Sequence, residues 1–122
     1  MQTLKFTIDS DPVPAARPRF SGRRAYQPAR NRSYRELIQV VAKIAMKGRK
    51  LFSGQICAEI KLFRRFKPTA KNFGDVDNHL KAIFDGMNKI VFDDDAQVVQ
   101  CVVTKHTDKL NPRAEVEIKE LR

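Results

Sequence analysis

Ile56-Cys57-Ala58-Glu59-Ile60-Lys61-Leu62-Phe63 alternates in steps of two, with Ile56, Ala58, Ile60 and Leu62 on one side and Cys57, Glu59, Lys61 and Phe63 on the other. Successive side chains of a strand point to opposite faces, so this run, part of an extended segment over 55–66, predicts a strand with one buried face. The period then changes. After a loop over 67–74, Leu80, Ile83, Phe84 and Met87 recur at helical spacing and predict a helix from about 78 to 90. Segments 98–105 and 114–119 are again strand-like, and the Asn111-Pro112 turn signal between them predicts an antiparallel hairpin. Toward the N-terminus, Ser33 and Glu36 are spaced as a capping box, which predicts a helix beginning just after Ser33. Tyr34, Leu37, Ile38, Val41 and Ala45 share its inner face, and Gly48 stops it. Leu4-Lys5-Phe6-Thr7-Ile8 alternates as a first strand. The order β-α-β-α-β-β predicts an α/β (α+β) fold, a single small domain over 1–122 with two helices packed on a mixed sheet.

A chain of 122 residues with 42% hydrophobic content can bury one core and not two. No apolar run approaches the roughly 20 residues needed to span a bilayer, and the start, Met1-Gln2-Thr3-Leu4-Lys5, lacks a signal-peptide pattern, so a cytoplasmic protein is expected. Cys57 and Cys101 show no Cys-x-x-Cys spacing and are expected as buried free thiols. His79 and His106 are isolated, which excludes a zinc constellation built on nitrogen and sulfur.

The formal charge of +10 points to a polyanionic partner, and its distribution says more. Residues 1–50 carry 12 basic and 3 acidic groups, and residues 51–74 carry 5 and 1. Residues 75–95 reverse the sign, with Lys81 and Lys89 against Asp75, Asp77, Asp85, Asp93, Asp94 and Asp95. A protein that only held nucleic acid would gain nothing from such an acidic island, because each carboxylate repels phosphate unless a cation stands between them.

The longest stretch without periodicity, 9–32, reads as a long basic loop carrying Arg17, Arg19, Arg23, Arg24, Arg30 and Arg32, with Phe20 and Tyr26 interleaved. Guanidinium forks bind phosphate and aromatic rings stack on bases, which suits a nucleic-acid grip. A solvated basic loop is the plainer alternative.

Asp75-Val76-Asp77-Asn78 immediately precedes the second predicted helix, and carboxylates two apart in an extended segment face one side. Hard oxygen ligands of this kind suit Mg²⁺ or Mn²⁺. Helix capping, with Asp77 as N-cap, explains the same residues without a metal. Lys81, one turn beyond Asp77, can hold a scissile phosphate or simply pair with Asp77. Asp93-Asp94-Asp95 closes the island, and Asp95 can return toward Asp77 if Val91-Phe92 doubles back along the helix. Three carboxylates and a lysine fit metal-assisted hydrolysis of a phosphodiester. No Gly-x-x-x-x-Gly-Lys loop or nucleophilic triad is present, which leaves no basis for a nucleotide cofactor.

Asp75-Val76-Asp77-Asn78-His79-Leu80-Lys81-Ala82, then Phe84-Asp85 and Asp94-Asp95-Ala96-Gln97-Val98, resembles the signature of the RusA family of Holliday junction resolvases. The resemblance implies a bacterial or phage-encoded, nucleoid-associated homodimeric endodeoxyribonuclease. Such an enzyme is Mg²⁺-dependent, with Mn²⁺ as a second candidate ion, and resolves four-way DNA junctions by paired symmetric nicks in recombination and repair. It assigns Asp75, Asp77 and Asp95 to metal binding and Lys81 to the catalytic lysine. The Ala96-Gln97-Val98 that follows favours Asp95 over Asp94, although the spacing from the helix is one residue shorter than in the family. Lys71-Asn72-Phe73-Gly74 stands where a cluster of arginines adjoins the first aspartate, and Arg64 and Arg65 lie further back. The expected DNA-binding set is therefore the six loop arginines with Arg64, Arg65 and Lys71. Phe73 is expected in the core rather than as a wedge in the junction. A non-catalytic binder of branched or single-stranded nucleic acid, and a nuclease acting on RNA or flaps, are the alternative readings.

Overall fold

The structure, a computed structural model, describes residues 2–16, 19–21, 24–26 and 28–121. Four strands form the main sheet: β1 (Thr3–Ile8), β4 (Ile56–Arg64), β5 (Val98–Thr107) and β6 (Arg113–Glu120). Helices α1 (Ala29–Met46) and α2 (Val76–Met87) cover one face, and strands β2 (Arg19–Ser21) and β3 (Arg24–Tyr26) pair separately. The α+β class and the mixed sheet are as expected.

Strand β4 is the axis of the sheet. Ile56, Ala58, Ile60 and Leu62 are fully buried under the helices, while Glu59 and Lys61 are exposed on the far side. It runs parallel to β5, with Ile60 opposite Val103, and antiparallel to β6, with Ile60 opposite Val116. Each buried row thus continues across the sheet, which is the packing consequence of strand alternation.

The sheet order is β1-β6-β4-β5, so the hairpin expected between the last two strands does not form. Residues 108–112 instead carry the chain past the end of β4, where the Asp108 amide donates to the Arg64 carbonyl at 2.8 Å. Asp108 shapes this turn by accepting from the amides of Leu110 and Asn111 and from the Arg113 guanidinium. Burial explains the choice. Ala114, Val116 and Ile118 of β6 are fully or nearly fully buried and take an interior place, whereas β5 exposes Val99 and Val102 and suits an edge.

Helix α1 begins at Ala29, not after Ser33, and the segment 9–32 is not a single loop, since it contains the β2–β3 pair and the first turn of α1. Pro28 takes the N-cap position, its carbonyl accepting from the amides of Asn31 and Arg32, so Ser33 lies inside the helix and caps nothing. A proline without an N–H is tolerated there because the amides at a helix start have no partner within the helix. The buried stripe is Tyr34, Ile38, Ala42 and Met46, with Leu37 and Ala45 at its margin. Lys47, in the left-handed region at φ 51°, ends the helix just before Gly48.

Helix α2 buries His79, Ile83, Gly86 and Met87 and meets α1 where Gly86 faces Ile38, with Leu80 and Phe84 only half-buried. It starts two residues earlier and ends three earlier than the periodicity predicts. Beyond it Val91 and Phe92 are fully buried beside Phe52, whose amide donates to the Val91 carbonyl. Phe73 is fully buried, and both cysteines are free but only half-buried. No helix among the described residues is long and apolar enough to cross a membrane.

Candidate active site at the start of helix α2

The approach to α2 is a 3-10 turn, Lys71–Phe73, followed by Gly74 at φ 93°. A Cβ at Gly74 would lie 2.9 Å from His79 Nε2 and 3.0 Å from Pro14 Cγ, so only glycine allows this close approach. Three bonds fix the turn. His79 Nε2 donates to the Phe73 carbonyl at 2.6 Å, and Arg64 Nη1 donates to the carbonyls of Asn72 at 3.0 Å and Phe73 at 2.7 Å. The remaining Arg64 donors grip Asp11, Nε to Oδ1 and Nη2 to Oδ2, both at 3.0 Å. The segment leading to the basic region is tied to the same point, because the Ala15 amide donates to the Asn78 carbonyl and Asn31 Nδ2 to the Pro14 carbonyl.

Asp75 stands at the N-cap of α2, and its carbonyl accepts the His79 amide. Its side chain makes no capping bond. Asp77 lies in the first turn and is not the N-cap, so capping explains neither carboxylate. Both side chains are exposed and neither has a hydrogen bond or ion pair among the described residues. Lys81 and Asp85 continue the face at four-residue steps, and Lys81 Nζ pairs with Asp85 Oδ2 at 3.4 Å rather than with Asp77.

Asp95 opens a 3-10 turn (Asp95–Gln97) whose cap is Asp94. Asp94 Oδ1 accepts from the Ala96 amide and Gln97 Oε1 accepts from the Asp94 amide, a reciprocal capping box. The Ala96 hydrogen bond, with one from the Asp95 side chain, holds Asp94 below the usual carboxylate range. Asp95 is pushed up, first by partial burial and then by Asp94 and the charge of Asp85, with Lys81 opposing. Asp94 is thus occupied in capping, while Asp95 shares a charged neighbourhood with Asp85 and Lys81. Among the described residues no three His, Cys, Asp or Glu side chains gather closely enough to hold a metal ion by themselves. A hard divalent ion does not require that, because it commonly takes one or two carboxylates and completes its shell with water and substrate phosphate. The unpartnered pair Asp75 and Asp77 fits such a site.

Lys71, Arg30, Arg32 and Arg65 are exposed. Arg64 is not available to DNA, since it is 3% exposed and every bond described above is internal. Arg19 and Arg24 belong to β2 and β3, and Arg17 and Arg23 lie outside the described residues. Sequence reasoning missed two residues that set this geometry, Asp11 and His79. His79 was legible through its four-residue spacing from Ile83 and Met87 on the buried stripe, whereas Asp11 carried no local signal.

A family model described as "Endodeoxyribonuclease RusA" matches residues 9–119. The chain is also similar to the "Uncharacterized protein YqaN" of Bacillus subtilis (strain 168), at 28% identity with 99% of each chain covered. A match over three of the four strands of the main sheet, both helices and the aspartate-bearing start of α2 means that this chain belongs to the RusA family of endodeoxyribonucleases, the Holliday junction resolvases.

Proposed function

We propose that this protein is a cytoplasmic homodimer, a single endonuclease domain per protomer, that resolves four-way DNA junctions by one metal-dependent phosphodiester hydrolysis in each protomer. Two symmetric cuts require two sites related by a two-fold axis, and one chain carries one such site. The observation that carries the reading is the N-cap aspartate whose carboxylate does not cap. Asp75 and Asp77 together present two unpartnered, hard oxygen donors on a rigid helix start.

A bound Mg²⁺ or Mn²⁺ would supply Lewis-acid activation of water and offset charge on the phosphoryl oxygens. Asp75 and Asp77 would hold that ion, and Asp95, which the structure does not gather with them, would be drawn in as the third carboxylate when the ion and DNA bind. The Lys81 ammonium, exposed on the same helix, would orient the scissile phosphate and stabilise the charge that develops on it. Lys71, Arg30, Arg32 and Arg65, with the arginines at 17, 19, 23 and 24, would grip the backbone of the junction arms, giving affinity that falls steeply with salt.

The test is a synthetic four-way junction incubated with protein and Mg²⁺. Symmetric nicks in opposing strands are expected, lost in EDTA and in Asp75→Asn, with junction binding retained in the variant. Nicks undiminished by Asp75→Asn would refute the metal assignment. Salt-sensitive binding with no divalent-dependent scission would identify a binding protein instead.

A further inference from the structure

Beside Lys81, a cavity of about 190 Å³ lies between the 13–16 segment, the start of α1 and the middle of α2. Among the described residues its apolar wall includes Val13, Ala15 and Ala82. Its polar groups are of two kinds. Arg35 and Lys81 are donors, whereas Asp85 and the Asn31 carbonyl oxygen are acceptors, the Asn31 amide nitrogen being committed to the Pro14 carbonyl.

One of these groups lacks a partner: Arg35 makes no hydrogen bond or ion pair among the described residues. Its guanidinium donors are left to solvent or to a ligand in the cavity. Phosphate does not suit this cavity, because it would leave the apolar wall of Val13, Ala15 and Ala82 without a partner. A nucleobase does: it has faces that pack on alanine and valine, and an edge that alternates donors and acceptors. The volume is below the range for larger ligands and fits one base.

We infer that this cavity receives a single unstacked nucleobase of the strand held for cleavage. The inference rests on the nuclease reading above, since the cavity shares Lys81 with the proposed metal face and Asp77 lies one turn back on the same helix. Extruding a base from a duplex costs stacking and pairing energy, and the cost is least where pairing is already disturbed, as at the crossover of a four-way junction. Occupancy of the cavity would therefore favour a branch point over continuous duplex without any direct reading of branch angle.

The experiment places 2-aminopurine at successive positions around the cut in a four-way junction and measures its fluorescence with the full-length protein bound in Ca²⁺. A several-fold rise at one position is expected, with none on bound linear duplex. Ala82→Leu and, separately, Ala15→Leu fill the cavity from opposite walls, and each is expected to abolish the rise while junction binding by gel shift persists. Thermal unfolding of each variant confirms folding, and two walls guard against one failing to fold. A rise that survives both substitutions overturns the assignment. Nicking in Mg²⁺ is scored on the same junctions: a cut junction with no responding position overturns the cavity assignment alone, whereas an uncut junction overturns the nuclease reading together with it.

Discussion

Arg64 and Asp11, 53 residues apart, meet in a two-pronged ion pair in which Nε and Nη2 each lie 3.0 Å from one carboxylate oxygen. The two ends of the pair are unequal, because the Arg64 side chain is 4% exposed and that of Asp11 45%. Arg64 also carries the carbonyls of Asn72 and Phe73, so the pair joins the N-terminal arm to the turn that presents Asp75.

That inequality sets a ranking for substitutions. Asp11→Ala leaves a buried guanidinium without its half-exposed counter-charge and is expected to cost about 1–3 kcal/mol. In Asp11→Ala/Arg64→Met the stranded charge is gone, and part of the loss should return. Urea unfolding of the two single variants and the double measures this. A double variant less stable than Asp11→Ala would contradict it.

Gly86 faces Ile38 across the helix pair, where an added Cβ would meet Ile38 Cβ and Cγ2 at 2.6 Å. Alanine is the better helix former by about 1 kcal/mol, yet overpacking costs about 1–3 kcal/mol, so Gly86→Ala is expected to lower stability by about 1–2 kcal/mol net. Combining it with Ile38→Ala should cost less than the sum of the two single changes. Thermal unfolding of the singles and the double gives the coupling directly.

His79 is held neutral. Burial pushes its pKa down, Arg64 and Lys105 push the same way, and the Phe73 carbonyl and Asp11 oppose them. With the folded pKa below the unfolded value of about 6.5, this residue's contribution is fully present above that pH. It is lost progressively as pH falls from there toward the lower folded pKa, where the unfolded chain binds the proton first. Denaturant midpoints measured from pH 7.5 to 5 should decline over this window, and His79→Gln should flatten the decline. An unchanged slope in His79→Gln would assign the dependence elsewhere.

Among the described residues Asp75 and Asp77 make no side-chain bond, so Asp75→Asn and Asp77→Asn are expected to change stability by no more than about 0.5 kcal/mol. Calorimetry in EDTA checks this. Loss of scission without loss of stability separates a functional carboxylate from a structural one, and a drop of several degrees in midpoint would indicate a cap after all.

The alternation of β4 and β6 and the helical spacing of Leu80, Ile83 and Met87 made the element order legible, because those periods are local consequences of backbone geometry. The start of α1 was obscured because Ser33-x-x-Glu36 offers a good capping box five residues beyond the true N-cap at Pro28. Asp75, Asp77, Lys81 and Asp95 were conspicuous as residues because charge concentrated against the trend of the chain is visible without coordinates.

By itself the sequence determined the number and type of the main elements, the acidic island, and the family to which the motif belongs. Only the tertiary structure decided that β6 lies between β1 and β4, that Arg64 turns inward, that Asp94 caps while Asp95 does not, and that Asp75 leaves its cap unmade. Period and composition are properties of neighbours along the chain. Strand order, the burial of a charge and the freedom of a carboxylate depend on which distant groups arrive beside it, and the chain states that only when folded.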